Sequence, residues 1–206
     1  MNLRLFAALL AAILISACSQ APRRGDENPL FVQAYQQRAA SLSGLDRWSL
    51  DGRLAIHDGK EGGSGNLKWV QTGEESDLRF RGALGQGAWW LQAGESGARI
   101  ELANGDVYRA DSVVDLVKQQ LGWQVPVDAL TWWVRGLAKP DAKAARSLDE
   151  EGRLTKLDQL GWDVDFGKYE NEESGWLPAR LTARKGKYLV KLVVKRWSAE
   201  PPEARD

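Results

Sequence analysis

Few side chains in this sequence can do covalent chemistry. It holds one Cys (Cys18) and one His (His57), and its only Met is the first residue. A lone Cys forms no internal disulfide. A lone His excludes zinc sites built on two or three imidazoles and argues against a Cys/His or Ser/His nucleophile pair. Ser64, within Gly62-Gly63-Ser64-Gly65-Asn66, matches Gly-x-Ser-x-Gly only loosely. The last Gly is missing and no strand-to-helix elbow surrounds it. His57 falls on the polar face of an alternating segment, where a solvated histidine belongs. The run Arg81-Gly82-Ala83-Leu84-Gly85-Gln86-Gly87 is rich in glycine, yet no Lys follows it and no helix begins there, so it is not a phosphate-cradling loop. The acidic clusters Asp149-Glu150-Glu151 and Glu170 to Glu173 read as solvated turns. No catalytic residue, metal site or cofactor is assigned, and the chain is not expected to be an enzyme.

The glycine-rich run has a different interest. A turn tip ordinarily carries polar residues, and this one carries Leu84 between Ala83 and Gly85. A plain flexible turn is the bland reading. The alternative is an apolar tip that touches a membrane or a partner's apolar surface.

Cys18 has a context of its own. Arg4 supplies a short positive region, and Leu5 to Ile15 is an apolar run of 11 residues, the length of a secretory signal and too short to span a bilayer. The run ends in Ile15-Ser16-Ala17-Cys18, which resembles a bacterial lipobox. That resemblance implies cleavage before Cys18, a thioether-linked diacylglycerol on its sulfur and an acyl group on its amine. Several acyl chains anchor stably, since each buried methylene is worth about 0.8 kcal/mol. Ser19 rather than Asp follows the Cys, which by the usual sorting rule of Gram-negative lipoproteins favours the outer membrane. Residues 1–17 are therefore expected to be a signal peptide and 18–28 a lipidated flexible tether.

Lys+Arg and Asp+Glu both number 28. Removing residues 1–17 takes away only Arg4, so the remainder stays within one charge of neutral and lacks the basic field that nucleic-acid binding requires. The length suits one domain with a real core, expected over 29–197, followed by a disordered tail at 198–206. Ten Trp are spread over that domain. Either they fill the core, or several of them line an apolar cavity that holds something greasy.

Pro29 opens a helical pattern that Ser43-Gly44 ends. Alternation then predicts strands, beginning with Trp48 to His57, whose inward face carries Trp48, Leu50, Gly52, Leu54 and Ile56. Further strands are expected over 66–72, 77–81, 88–93, 98–103, 106–110, 163–169, 177–184 and 188–197. The last two are joined by a Lys185-Gly186 hairpin signal. Lys185, Lys187, Lys191 and Lys195 recur at the outer face of these strands, as edge protection or as a basic strip for anionic lipid or an acidic partner. Helices over about 111–121 and 126–137 interrupt the strands and are candidates to cover a concave sheet as a lid covers a bowl. The expected class is mainly β, a curling antiparallel sheet.

Several segments together resemble the LolB family of outer-membrane lipoprotein receptors. They are the lipobox; Trp48-Ser49-Leu50-Asp51-Gly52-Arg53-Leu54-Ala55; Trp69-Val70-Gln71-Thr72-Gly73; Gly82-Ala83-Leu84-Gly85; Leu121-Gly122-Trp123-Gln124-Val125-Pro126, running on to Leu130, Trp133 and Gly136-Leu137; Gly161-Trp162-Asp163-Val164; and the closing strand to Trp197. The resemblance implies an unclosed antiparallel β-barrel whose hydrophobic cavity is covered by α-helices. The cavity would take acyl chains of lipoproteins from the periplasmic carrier LolA, and Leu54, Ile56, Leu67, Trp69, Leu78, Phe80, Trp133 and Leu137 are the residues assigned to it. It further implies that the Leu84 tip, with Ala83 and Gly85, helps deliver cargo into outer-membrane phospholipid, the protein acting as a monomer. Ala83 stands where the family often has Pro, and Ala138-Lys139 precede Pro140. A lipocalin-like lipoprotein binding a small apolar ligand, an envelope scaffold and a lipid hydrolase are the rival readings.

Overall fold

Strict alternation of apolar and polar residues builds the centre of the sheet. In β1 (Arg47–His57), β2 (Gly62–Thr72) and β3 (Glu75–Gly82) buried and more exposed side chains mostly alternate, the exceptions being buried Ser49 and the exposed start of β2 at 62–64. The computed structural model describes residues 28–82 and 87–199. Cys18, the expected signal segment, all of the tether but Asn28, the Ala83-Leu84-Gly85 tip and residues 200–206 lie outside the described residues.

The chain continues through β4 (Trp89–Gly94), β5 (Gly97–Leu102), β6 (Val107–Ala110), β7 (Ala144–Leu148), β8 (Leu154–Gln159) and β9 (Trp162–Phe166). After a small hairpin, β10 (Tyr169–Glu172) with β11 (Gly175–Pro178), come β12 (Arg180–Lys185) and β13 (Tyr188–Ser198). All but the hairpin form one 11-stranded antiparallel sheet in the order β6-β5-β4-β3-β2-β1-β13-β12-β9-β8-β7. Its end strands, β6 and β7, do not pair with each other, so the barrel is unclosed. Tight backbone approach accompanies the curling: a Cβ at Gly65 would strike the Arg81 carbonyl, and one at Gly52 would lie 2.5 Å from the Val193 carbonyl oxygen, beside a bulge in the β1–β13 register.

Among the described residues three helices complete the fold: α1 (Pro29–Ser43), α2 (Val113–Leu121) and α3 (Val127–Trp133). Asn28 caps α1, its side chain accepting the Leu30 N–H, with Pro29 at the first helical position. Ser112 accepts the Asp115 N–H to cap α2, and Gly122, at φ 71°, ends it. The chain leaves one edge strand, β6, forms α2 and α3, and enters the other edge strand, β7. The two helices therefore roof the concave face from one edge of the opening to the other.

The structure departs from the sequence reading in several places. Strands β7 and β8 were not foreseen. The expected strand over 177–184 is split, because the chain leaves the β10–β11 hairpin at Pro178 before joining the main sheet at Arg180. Glu170 and Glu172 lie in β10 rather than in a turn. The helix foreseen over 126–137 stops at Trp133, and Gly136 at φ 73° turns the chain away. Ser198 closes β13 rather than opening a tail. Finally, Lys191 and Lys195 protect no edge, since β13 sits mid-sheet between β1 and β12.

Six of the ten Trp are buried and hold the two halves of the core. The Trp48 ring stands 5.2 Å from Trp69 and 5.4 Å from Trp197, tying β1, β2 and β13 together. Trp133 and Trp162 meet at 6.4 Å on the other side.

Candidate functional site

The concave face beneath the roof is made of carbon. The inward residues Leu54 and Ile56 of β1, Leu67 and Trp69 of β2, Leu78 of β3, and Trp89 and Leu91 of β4 form its floor, continued by Leu181, Val190 and Leu192. From above come Val117 and Leu121 of α2, Trp123 and Val125 of the linker, and Val127, Leu130 and Val134 from α3 and its end. These 17 side chains enclose a void of about 40 Å³ that no polar atom reaches. A void of that size has room for a few waters at most, and a lining that presents no polar surface keeps it dry. The roof is thus closed, and no alkyl tail fits unless it lifts.

Five of the eight side chains assigned to a cavity from the sequence line this void: Leu54, Ile56, Leu67, Trp69 and Leu78. The other three lie elsewhere. Phe80 is buried beside it, stacked on Trp89 at 5.2 Å with Trp123 edge-on at 6.5 Å. Trp133 points to the β8 side, where its indole N–H donates to Gln159 Oε1 at 2.9 Å. Leu137 is buried beyond the end of α3 but does not reach the void. The other twelve lining residues were not assigned: Trp89 and Leu91 of β4, Leu181, Val190 and Leu192, and the seven contributed by the roof. The helices over about 111–121 and 126–137 were candidate lids, but which of their residues cover the hollow was not legible.

Polar ties fix the roof at one end. Arg135, just after α3, is 4 % exposed, and among the described residues no carboxylate pairs with it. Its Nη1 donates to the carbonyls of Leu42 (3.0 Å) and Leu45 (3.1 Å) at the C-terminal end of α1, and its Nε donates to Thr131 O (3.1 Å). A cation suits the negative end of a helix. The guanidinium also lies over the Trp132 ring, 4.7 Å from its centroid. Burial draws its pKa down to about 10, which leaves it charged at physiological pH. Arg38 of α1 answers by donating to the Arg135 carbonyl at 3.2 Å, and the Ala138 N–H donates to the Tyr35 hydroxyl at 3.1 Å. Below, Gln159 spends its whole amide on this segment. It accepts from Trp133 Nε1 and the Lys139 N–H, and donates to the carbonyls of Lys139 (2.8 Å) and Ala142 (3.1 Å). The other end of the roof, α2 and the linker from Gly122, rests on the sheet through apolar side chains. Nothing surrounds the position a Cβ would take at Gly122.

The groups considered for chemistry are occupied in structural work or set apart from the void. His57 Nδ1 accepts the Gly59 N–H at 2.8 Å and shapes the β1–β2 turn. Ser64 is exposed opposite Ala55 on the outer face.

The comparisons follow this geometry. A family model described as outer membrane lipoprotein LolB matches residues 46–197, which takes in every strand of the main sheet and both roof helices. The chain belongs to the LolB family. The proteins called outer-membrane lipoprotein LolB from Pseudomonas paraeruginosa and Pseudomonas putida (strain KT2440) are 38 % and 39 % identical to it, over 96 % and 91 % of this chain and 97 % and 92 % of theirs. Among solved structures, a LolA superfamily protein from Nitrosomonas europaea shares the fold at a TM-score of 0.52 and 11 % identity, covering 83 % of this chain and 94 % of that one. This LolB-family chain is accordingly an outer-membrane lipoprotein of the periplasmic face. It acts in lipoprotein localisation as a receptor for lipoproteins arriving from LolA, and it is not an enzyme.

Proposed function

We propose that this protein takes the acyl chains of an incoming lipoprotein beneath its α2–α3 roof and then inserts that lipoprotein into outer-membrane phospholipid, working as a monomer. The observation that carries the reading is the dry void under a roof held at one end by polar ties and at the other by apolar contacts. An acyl chain of about 16 carbons costs roughly 12 kcal/mol to expose to water, so passage needs shelter. When α2 and the linker lift, the apolar faces they uncover are covered again by the incoming chain, so one greasy contact replaces another. Such contacts are non-directional, so they hold the cargo without locking it, and release into a bilayer runs downhill. Anchorage through Cys18 after removal of residues 1–17 keeps the domain at the membrane, and the apolar tip Ala83-Leu84-Gly85 supplies the contact at delivery.

Two variants separate the steps. Leu130→Trp adds more side chain than the void holds, so sealing it costs cargo about 1–3 kcal/mol, a loss of uptake of roughly 5- to 150-fold. Capture of acylated lipoprotein from the carrier is expected to fall by that factor. Leu84→Glu is expected to fold and capture cargo normally while impairing incorporation into liposomes, because it removes an insertion worth about 1.5–3 kcal/mol. Normal capture by Leu130→Trp refutes the cavity, and normal incorporation by Leu84→Glu refutes the tip.

A further inference from the structure

The turn between β8 and β9 breaks two local rules at once. Gln159 pairs with Trp162, leaving Leu160 and Gly161 as a two-residue loop with φ of 56° and 74°. Positive φ at both central positions is the type I′ pattern, which selects Asn-Gly or Asp-Gly. Asp141 and Leu160 are the two non-glycine residues with positive φ among the described residues. Aspartate tolerates that conformation, whereas leucine is strained by it. The same leucine is 43 % exposed, so neither the backbone nor the core explains its presence. Strain and lost burial together at a turn tip point to a role outside the fold.

Its position says which role. The pairings place the β8–β9 turn, the β12–β13 turn at Lys185 to Lys187, the β1–β2 turn at 58–61 and the end of β3 at Gly82 on one rim of the sheet. Lys185 lies across the leucine turn, its Nζ donating to the Leu160 carbonyl at 3.0 Å, and Lys187 follows on the same hairpin. Both lysines are exposed. Asp158 and Asp163, flanking the turn, are engaged within the fold. An apolar tip with lysines beside it matches a phospholipid surface, with carbon below and phosphate around.

We propose that Leu160 is a bilayer contact, its side chain entering the phospholipid surface while Lys185 and Lys187 lie at headgroup level. This rests on the outer-membrane location of the family and stands apart from the acyl-cavity and Leu84 readings. It adds a second point of attachment, which would fix how the domain sits on the membrane rather than whether it is anchored.

The test uses the full chain in vesicles of phosphatidylethanolamine and phosphatidylglycerol carrying nitroxide headgroup lipids. A fluorophore is attached at Lys60→Cys in the β1–β2 turn of the same rim, and at Glu74→Cys on the opposite rim as reference. The position-60 label is expected to be quenched several-fold more than the position-74 label. Burying a leucine shifts a contact equilibrium roughly tenfold or more, so Leu160→Asn should remove most of that excess and Leu160→Met should keep it. Leu160→Asn should also hold or raise the thermal midpoint, because Asn accepts positive φ. Equal quenching at the two positions, or quenching unchanged in Leu160→Asn, overturns the proposal. So does a fall in midpoint, which would make Leu160 a fold residue. Protection of the label by added carrier protein but not by lipid would also refute it, by assigning the tip to a protein partner.

Discussion

Replacing Arg135 with Leu is expected to lower the thermal midpoint by about 10 °C, from a loss of roughly 3–4 kcal/mol. The side chain makes three hydrogen bonds from a buried cation, two of them to carbonyls at the end of α1. Bonds from charged donors are worth about 1.5–3 kcal/mol each, and the substitution also leaves the Leu42 and Leu45 carbonyls short of partners. Part of the loss is returned, because a guanidinium buried without a carboxylate carries a desolvation cost that leucine does not. A second effect is functional. Arg135 pins the end of α3 to α1, so its loss frees the fixed end of the roof. An alkyl fluorophore should then bind faster to Arg135→Leu than to the parent at a temperature where both are folded. Arg135→Lys should fall between them, since one ammonium does not reproduce the guanidinium fork. A melting curve and a stopped-flow binding trace check both points. A normal midpoint would mean that the hydrogen bonds are replaced by water.

Gln159→Leu is expected to be as damaging to stability yet neutral for cargo. The shape is nearly kept, but four partners lose their bonds: the Trp133 indole N–H, the Lys139 N–H and carbonyl, and the Ala142 carbonyl. A buried group left unsatisfied costs about 1–3 kcal/mol, and Trp133 is fully buried, whereas the Lys139 segment is reached by water. A total of about 4 kcal/mol, or a midpoint drop of about 8–16 °C, follows. Gln159 sits on the far side of the roof from the void, so probe uptake per folded molecule should not change. If Gln159→Leu gained uptake as Arg135→Leu does, the division of the roof into a pinned end and a lifting end would be wrong.

The strands that spoke plainly in the sequence are those with one wet and one dry face. Trp48 to His57 and Asp77 to Arg81 alternate in sequence because most of the convex side faces solvent, buried Ser49 being the exception. Strand β7, Ala144-Ala145-Arg146-Ser147-Leu148, is half-buried at every position, so it carries no alternation to find. In β8 adjacent exposed residues, Thr155 and Lys156, interrupt the pattern. The lysine series on β13 was visible, but edge and centre were not, because strand order depends on pairings between residues far apart in the chain. The site was half legible for a related reason. Inward direction can be read from period two, which found Leu54, Ile56, Leu67, Trp69 and Leu78. Which inward residues lie under the roof and which meet β8 depends on where α3 ends. Gly136 ends that segment earlier than the apolar spacing suggested, and this sends Trp133 and Leu137 away from the void.

The placing of β13 has a consequence for biogenesis. It lies between β1 and β12 and pairs Leu50 with Trp197 across nearly the whole domain. A nascent chain therefore lacks the middle of its sheet until its final strand has been synthesised, and loop closure over such separations is slow. Topology alone thus defers completion of the sheet, and of the core beneath it, until the last strand has left the ribosome.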